Sequence, residues 1–214
     1  MRGTTTAPGA AAATTSPTTA GGGAAAALAP PASGTYRYAT QGQSSLGGTV
    51  LPFPGVTTLA VDPAAGTRQR AVRDLRSGGN GPVFEYVLDY RPEGIHLVSL
   101  SAAVSFLVFS QREELRPPSP VLLLPAEATA GTRREVDVPT AAAGTTAHLV
   151  IEVRSPTVVH LVATVTGQLS NRIELTVTLD PATRLWAQER LVAESTAPTG
   201  DVAFRSEYTA TLQR

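Results

Sequence analysis

The sequence predicts an all-β domain of antiparallel strands behind a disordered N-terminal tail. Three observations predict it. Apolar and polar residues alternate with period two in segment after segment, the mark of half-buried strands. Clusters of Gly, Pro, Asn and Asp fall between those segments and supply turns, so successive strands are antiparallel neighbours. No strand–helix–strand rhythm occurs, which argues against a parallel sheet.

Residues 1–33 are almost wholly Thr, Ala, Pro, Gly and Ser, with Arg2 the one charge and Leu28 the one large apolar residue after Met1. Such a segment buries too little surface to offset its chain entropy and reads as a disordered linker. Pro30-Pro31 closes it as a stiff hinge, and the β domain is expected over residues 34–214. Thr35–Thr40, Thr57–Asp62 and Gln69–Leu75 are short strand candidates. Val83–Tyr90 alternates clearly, with Phe84, Tyr86, Leu88 and Tyr90 on one face and Glu85 and Asp89 on the other. Ile95–Ser110 is nearly continuous and apolar, and at 16 residues is long for one strand, so Ser101-Ala102-Ala103 is read as its turn. A helix is the alternative there, though Ile, Val, Phe and Ser are not strong helix formers.

Arg133–Val138 and Ala147–Arg154 follow, then Thr157–Thr166, Arg172–Asp180 and Val202–Gln213 with clearer alternation. Gly78–Pro82, Arg91–Gly94, Gly167–Asn171 and Pro198–Asp201 are the turns between runs. Asp180–Leu191 is ambiguous. Asp180 suits an N-cap, Pro181 a first helical position, and the interior is rich in helix formers.

Composition excludes several functions. The 17 arginines are balanced by 17 acidic residues, and lysine is absent. A nucleic-acid partner would call for a basic excess, and so would simple docking on an anionic membrane. With Ile used three times and Asn twice, the absence of Lys reads as codon bias in a GC-rich genome rather than selection for guanidinium contacts. No cysteine is present, which removes disulfides, thiolate catalysis, Cys-based zinc sites and a lipobox. No run of 18 apolar residues suggests a transmembrane helix. Met1-Arg2-Gly3-Thr4 opens no signal peptide. Thr/Pro/Ala-rich segments of this kind typify stalks. The expectation is an internal Met1 with a signal or anchor upstream; the alternative is a plain disordered terminus.

No residue pattern identifies a reaction. His96, His148 and His160 have no metal-like spacing to one another or to carboxylates. There is no Gly-x-Ser-x-Gly elbow, phosphate-cradling loop or dinucleotide fingerprint. Glu113 and Glu114 are adjacent, so they diverge in an extended chain and read as a polar loop. Arg68, Arg70, Arg73 and Arg76 form the densest basic cluster. They read either as a solvated edge strand or as a grip for phosphate or an acidic glycan. Phe84, Tyr86, Tyr90, Trp186 and Phe204 are the candidate ligand-lining residues, with simple core as the other reading. No catalytic, metal or cofactor residue is assigned.

Short motifs carry a resemblance. Gly34-Thr35-Tyr36-Arg37-Tyr38, Tyr90-Arg91-Pro92-Glu93-Gly94, Leu122-Leu123-Leu124-Pro125-Ala126 and Leu179-Asp180-Pro181-Ala182-Thr183 look like the Gly-x-Tyr-x-Tyr start, the Tyr-x-Pro-x-Gly turn, the Leu-Leu-Pro stretch and the Asp-Pro-x-Thr-Gly turn of uncharacterised actinobacterial envelope proteins. Arg184 stands where that last motif has Gly. The group distantly resembles the curved sheets of bacterial lipoprotein carriers and mycobacterial lipid-binding lipoproteins. The resemblance implies a strongly curved antiparallel sheet, shaped as a half-barrel or a flattened barrel or sandwich, with a turn and a strand over Asp180–Ala193, an extracytoplasmic setting, and an apolar ligand such as lipid. The resulting expectation is a non-enzymatic envelope domain that binds such a ligand. The alternative is a structural or protein-interaction module on a surface stalk, with another envelope protein as partner.

Overall fold

The computed structural model of the chain describes residues 28–106, 109–140, 145–166, 170–196 and 202–213. Among these residues, fourteen antiparallel strands form one sheet. The N-terminal half contributes β1 (Gly34–Leu46), β2 (Thr49–Pro52), β3 (Val56–Val61), β4 (Arg68–Asp74), β5 (Gly81–Arg91), β6 (Gly94–Phe106) and β7 (Phe109–Leu115). The C-terminal half contributes β8 (Val121–Pro125), β9 (Thr132–Pro139), β10 (Thr146–Ser155), β11 (Val158–Thr166), β12 (Ser170–Leu179), β13 (Trp186–Thr196) and β14 (Val202–Leu212). The spatial order is β7-β6-β5-β4-β3-β1-β14-β13-β12-β11-β10-β9, with β2 beside β1 and β8 beside β6. Two meanders therefore join along β1 and β14.

The sheet curls until its ends approach. Leu115, ending β7, bridges to Thr140 beyond β9, and Arg134 on β9 donates to the Leu122 carbonyl on β8 at 3.4 Å. The result is a nearly closed, flattened barrel whose opposite walls touch. Tyr86 on β5 stacks on Trp186 on β13, ring centroids 4.3 Å apart. Register shifts bend the strands at Val87–Leu88, Val153–Ser155, Thr178–Leu179 and Ser195–Thr196, as closure of a sheet requires. Glycine permits the closest backbone approaches. A Cβ on Gly42 (φ 145°) would lie 2.1 Å from the Glu207 carbonyl oxygen, and one on Gly94 (φ 147°) 2.3 Å from that of Leu124.

Period-two alternation becomes an inner and an outer face. Phe84, Tyr86, Leu88 and Tyr90 of β5 are buried inside, as are Ala147, Leu149, Ile151 and Val153 of β10. The outer face carries paired charges. Arg70 on β4 bridges Glu85 and Asp62, Arg172 meets Glu174, and Arg205 joins Glu194 and Glu207. Such a face is unlike the apolar outer band of a membrane barrel, and no helix is long and apolar enough to cross a membrane.

The structure corrects several expectations. Ser101-Ala102-Ala103 is no turn: β6 runs through it, paired with Phe84 and its neighbours on one side and with Arg112–Glu114 on the other. Pairing on both edges stabilises a strand that sequence length alone would divide. Glu113 and Glu114 accordingly lie in β7 rather than in a loop. The arginine-rich β4 is not an edge, since β3 and β5 flank it. Over Asp180–Leu191 the turn and strand that the resemblance implies are borne out, and the helix that the composition also allows is not formed. Asp180 Oδ1 accepts the amides of Ala182 and Thr183 at 2.8 and 3.2 Å, making a turn, and β13 starts at Trp186. Cross-strand pairing with β12 and β14 overrides the helix-forming composition. Of the linker, residues 1–27 lie outside the described residues, as do 167–169 and 197–201 of two expected turns. Residues 28–33 lie on the barrel, where Pro31 is buried and its carbonyl accepts from Gln69 Nε2 at 2.9 Å.

Candidate functional site

Flattening brings the inner faces of β5 and β6 opposite those of β11, β12 and β13. Between them lies an apolar slot of about 60 Å³. Leu88, Leu97 and Leu100 line one wall, Leu161, Leu175 and Val177 the other. Leu123 and Leu124 of β8 border it, and the stacked Tyr86 and Trp186 form its floor. The wall is almost purely hydrocarbon because strands on both sides present Leu, Ile or Val at every inward position here. A second cavity, also about 60 Å³, lies toward the opposite end of the barrel and is lined by Phe84, Ala102, Ile173 and Phe204, with Glu113, Asn171 and Glu194 at its margin.

The five aromatic candidates are therefore divided. Tyr86 and Trp186 share the slot, and Phe84 and Phe204 share the other cavity. Tyr90 faces a small space of about 20 Å³ behind the Tyr86–Trp186 pair. All five are buried.

The central wall holds a polar cluster that sequence reading missed. Arg73 on β4 points inward, and its side chain is 0% exposed against 1% for its partner Glu189 on β13. Arg73 Nε donates to Glu189 Oε2 at 3.0 Å, while Nη2 lies 2.8 Å from the same oxygen but out of line for a second hydrogen bond. Tyr208 donates to Glu189 Oε1. The Arg73 guanidinium sits 3.7 Å above the Tyr38 ring centroid, and Tyr38 donates to the Trp186 carbonyl at 2.7 Å.

Burial opposes the charge on Arg73, and the Glu189 carboxylate together with Tyr86, Tyr208 and Tyr38 outweighs it and holds the guanidinium protonated. Burial pushes the Tyr38 hydroxyl up to about 12 and, with Glu189, raises Tyr86 and Tyr208 well above their ordinary value. At neutral pH the phenols are neutral and the cluster is held by one ion pair. Arg73 Nη1 and Nη2 and the Tyr86 hydroxyl have no hydrogen-bond partner. No sequence signal marks this cluster, because Arg and Glu in a strand read as outward-facing.

The other candidates resolve simply. Arg68 pairs with Asp89, Arg70 with Asp62 and Glu85, and Arg76 with Asp74, so each of these guanidinia already has a carboxylate. His96 is buried beside β8's pairing edge, His148 bonds Asp137 at 2.8 Å, and His160 bonds Thr176 at 3.0 Å. No family model, curated protein or solved structure matches this chain.

Proposed function

We propose that this domain is a non-enzymatic binding protein that takes an apolar ligand, or the apolar part of one, between the walls of its flattened barrel. The observation that carries this reading is the slot: a partly open space walled by leucines, isoleucine and valines over an aromatic floor. Such sites take ligands by removing apolar surface from water, at about 25 cal/mol per Å². At about 60 Å³ the slot seats the end of a hydrocarbon chain rather than a whole lipid; a cavity of about 150 Å³ admits benzene. A longer chain requires β8 to move, and β8 is a five-residue strand paired to β6 over only four positions. An extracytoplasmic site of action at the cell envelope, with lipid as the ligand class, is part of the same proposal. It is supported by the stalk-like composition of the N-terminal segment and by the envelope-protein motifs.

The test is native mass spectrometry of the full chain purified without detergent, followed by solvent extraction. Extra mass of several hundred daltons, lost on denaturation and recovered as lipid, is the expected result. A clean apo mass that persists after offering fatty acids and phospholipids would overturn the reading and favour a protein-interaction module.

A further inference from the structure

Residues 28–32 and the turn Asp180–Leu185 face each other across the surface of the barrel. Between them runs a crevice of about 550 Å³, lined by Leu28, Pro30, Tyr36, Thr183, Arg184 and Leu185 among others. Among the described residues that line it, Arg184 is the one that is charged. Among the described residues, eleven arginines form ion pairs with carboxylates. Arg184 forms none among the described residues. The nearest carboxylate along the chain, Asp180, directs Oδ1 to the turn amides.

The backbone adds a second observation. Arg184 has φ 62°, the one positive value at a non-glycine among the described residues. An L-residue held there costs about 1 kcal/mol or more relative to glycine, the residue that suits the position. An outlier of this kind points to a use for the side chain.

A third observation is continuity. Arg184 and Leu185 line both the crevice and the small space behind Trp186. Tyr86, Leu88 and Trp186 line both that space and the apolar slot. The crevice and the slot thus meet through residues that border the small space on either side. The small space also exposes Gln69, whose Oε1 is buried without a hydrogen-bond partner, while its Nε2 is committed to the Pro31 and Asp62 carbonyls.

We infer that the ligand is a single-chain anionic amphiphile whose head is held by Arg184 in this crevice and whose chain passes Leu185 toward the slot. This rests on the binding function proposed above and adds the charge of the ligand and its point of entry. A guanidinium with no internal partner pairs with a carboxylate or phosphate head by charge-assisted hydrogen bonds. An apolar crevice wall lowers the competing hydration of that head. Residues 28–32 form the outer lip of the site.

The test is equilibrium binding to the full-length protein of decanoate against decan-1-ol at pH 8, read by the fluorescence of Trp186, the sole tryptophan. The proteins compared are the parent, Arg184→Gln and Arg184→Gly. The parent is expected to bind decanoate at least tenfold more tightly than the alcohol. Both variants are expected to lose that preference while binding the alcohol as the parent does. Arg184→Gly should melt no lower than the parent, since glycine suits the backbone, which keeps a folded reference in the set. Equal binding of acid and alcohol by the parent, or a preference that survives both substitutions, would overturn the inference and leave apolar binding standing. Failure of the parent to bind either compound would overturn both readings.

Discussion

Arg73 and Glu189 stand 116 positions apart in sequence and meet in the interior. Removing two charges from water is costly, and their attraction repays it only while both are present. Arg73→Met or Glu189→Leu alone should therefore lower stability by about 3–5 kcal/mol, because each leaves a buried charge unpaired. The double variant should be more stable than either single one; a double-mutant cycle in urea checks this, and simple additivity would show the pair is not coupled. His160 gives a pH signature. Burial lowers its pKa, Arg154 adds to the effect, and nearby Glu174 and Glu152 oppose it incompletely. The folded state thus disfavours protonation, so stability is full above the unfolded value of about 6.5 and falls as pH drops through it. His160→Asn should flatten the change in urea midpoint between pH 7.5 and 5.5. Little at this scale was legible beforehand. Alternation put Tyr86 and Tyr90 correctly on one inner face, but inward Arg73 breaks the pattern by which charge is read as exposure.

Strands that alternate cleanly were legible as elements: Val83–Tyr90 became β5 and Arg172–Asp180 became β12, each within a few residues. Those whose pattern is set by neighbours were not. β2 and β8 are four and five residues long and exist because β1 and β6 offer them an edge. β13 opens with the helix-forming run Ala187–Leu191, yet Trp186, Glu189 and Leu191 are buried from it as strand positions. Its start depends on Asp180, so Asp180→Ala should cost about 1–2 kcal/mol by releasing two turn amides, measured by thermal denaturation. Gly94→Ala tests the attachment of β8. The added methyl must push against the Leu124 carbonyl and Leu122, and amide exchange in β8 should quicken well before that in β5 or β10. Protection unchanged in β8 would show that the strand is held by other contacts.

At the scale of the molecule, one apolar cluster reaches from Tyr38 through Leu97 to Tyr208 and includes residues of both meanders. The barrel should unfold as a unit. Urea transitions followed by Trp186 fluorescence and by far-ultraviolet circular dichroism should coincide, and separated midpoints would mean that the two meanders fold independently. Antiparallel neighbours were legible in the turns, and curvature only through the family resemblance; near-closure was not legible, because turns define neighbours along the chain and say nothing of which strands meet across it. That missing relation is the pairing of β1 with β14, from Tyr38 opposite Leu212 to Leu46 opposite Phe204. It has a consequence for biosynthesis. On the ribosome each meander can zip locally as it emerges, but one edge of β1 stays bare until its partner is translated. Contacts of such long sequence separation are slow to form and leave strand edges open to other chains meanwhile. For most of its synthesis the nascent polypeptide is thus an open sheet in search of its last strand, eleven residues long, and the burden on chaperones falls in that interval.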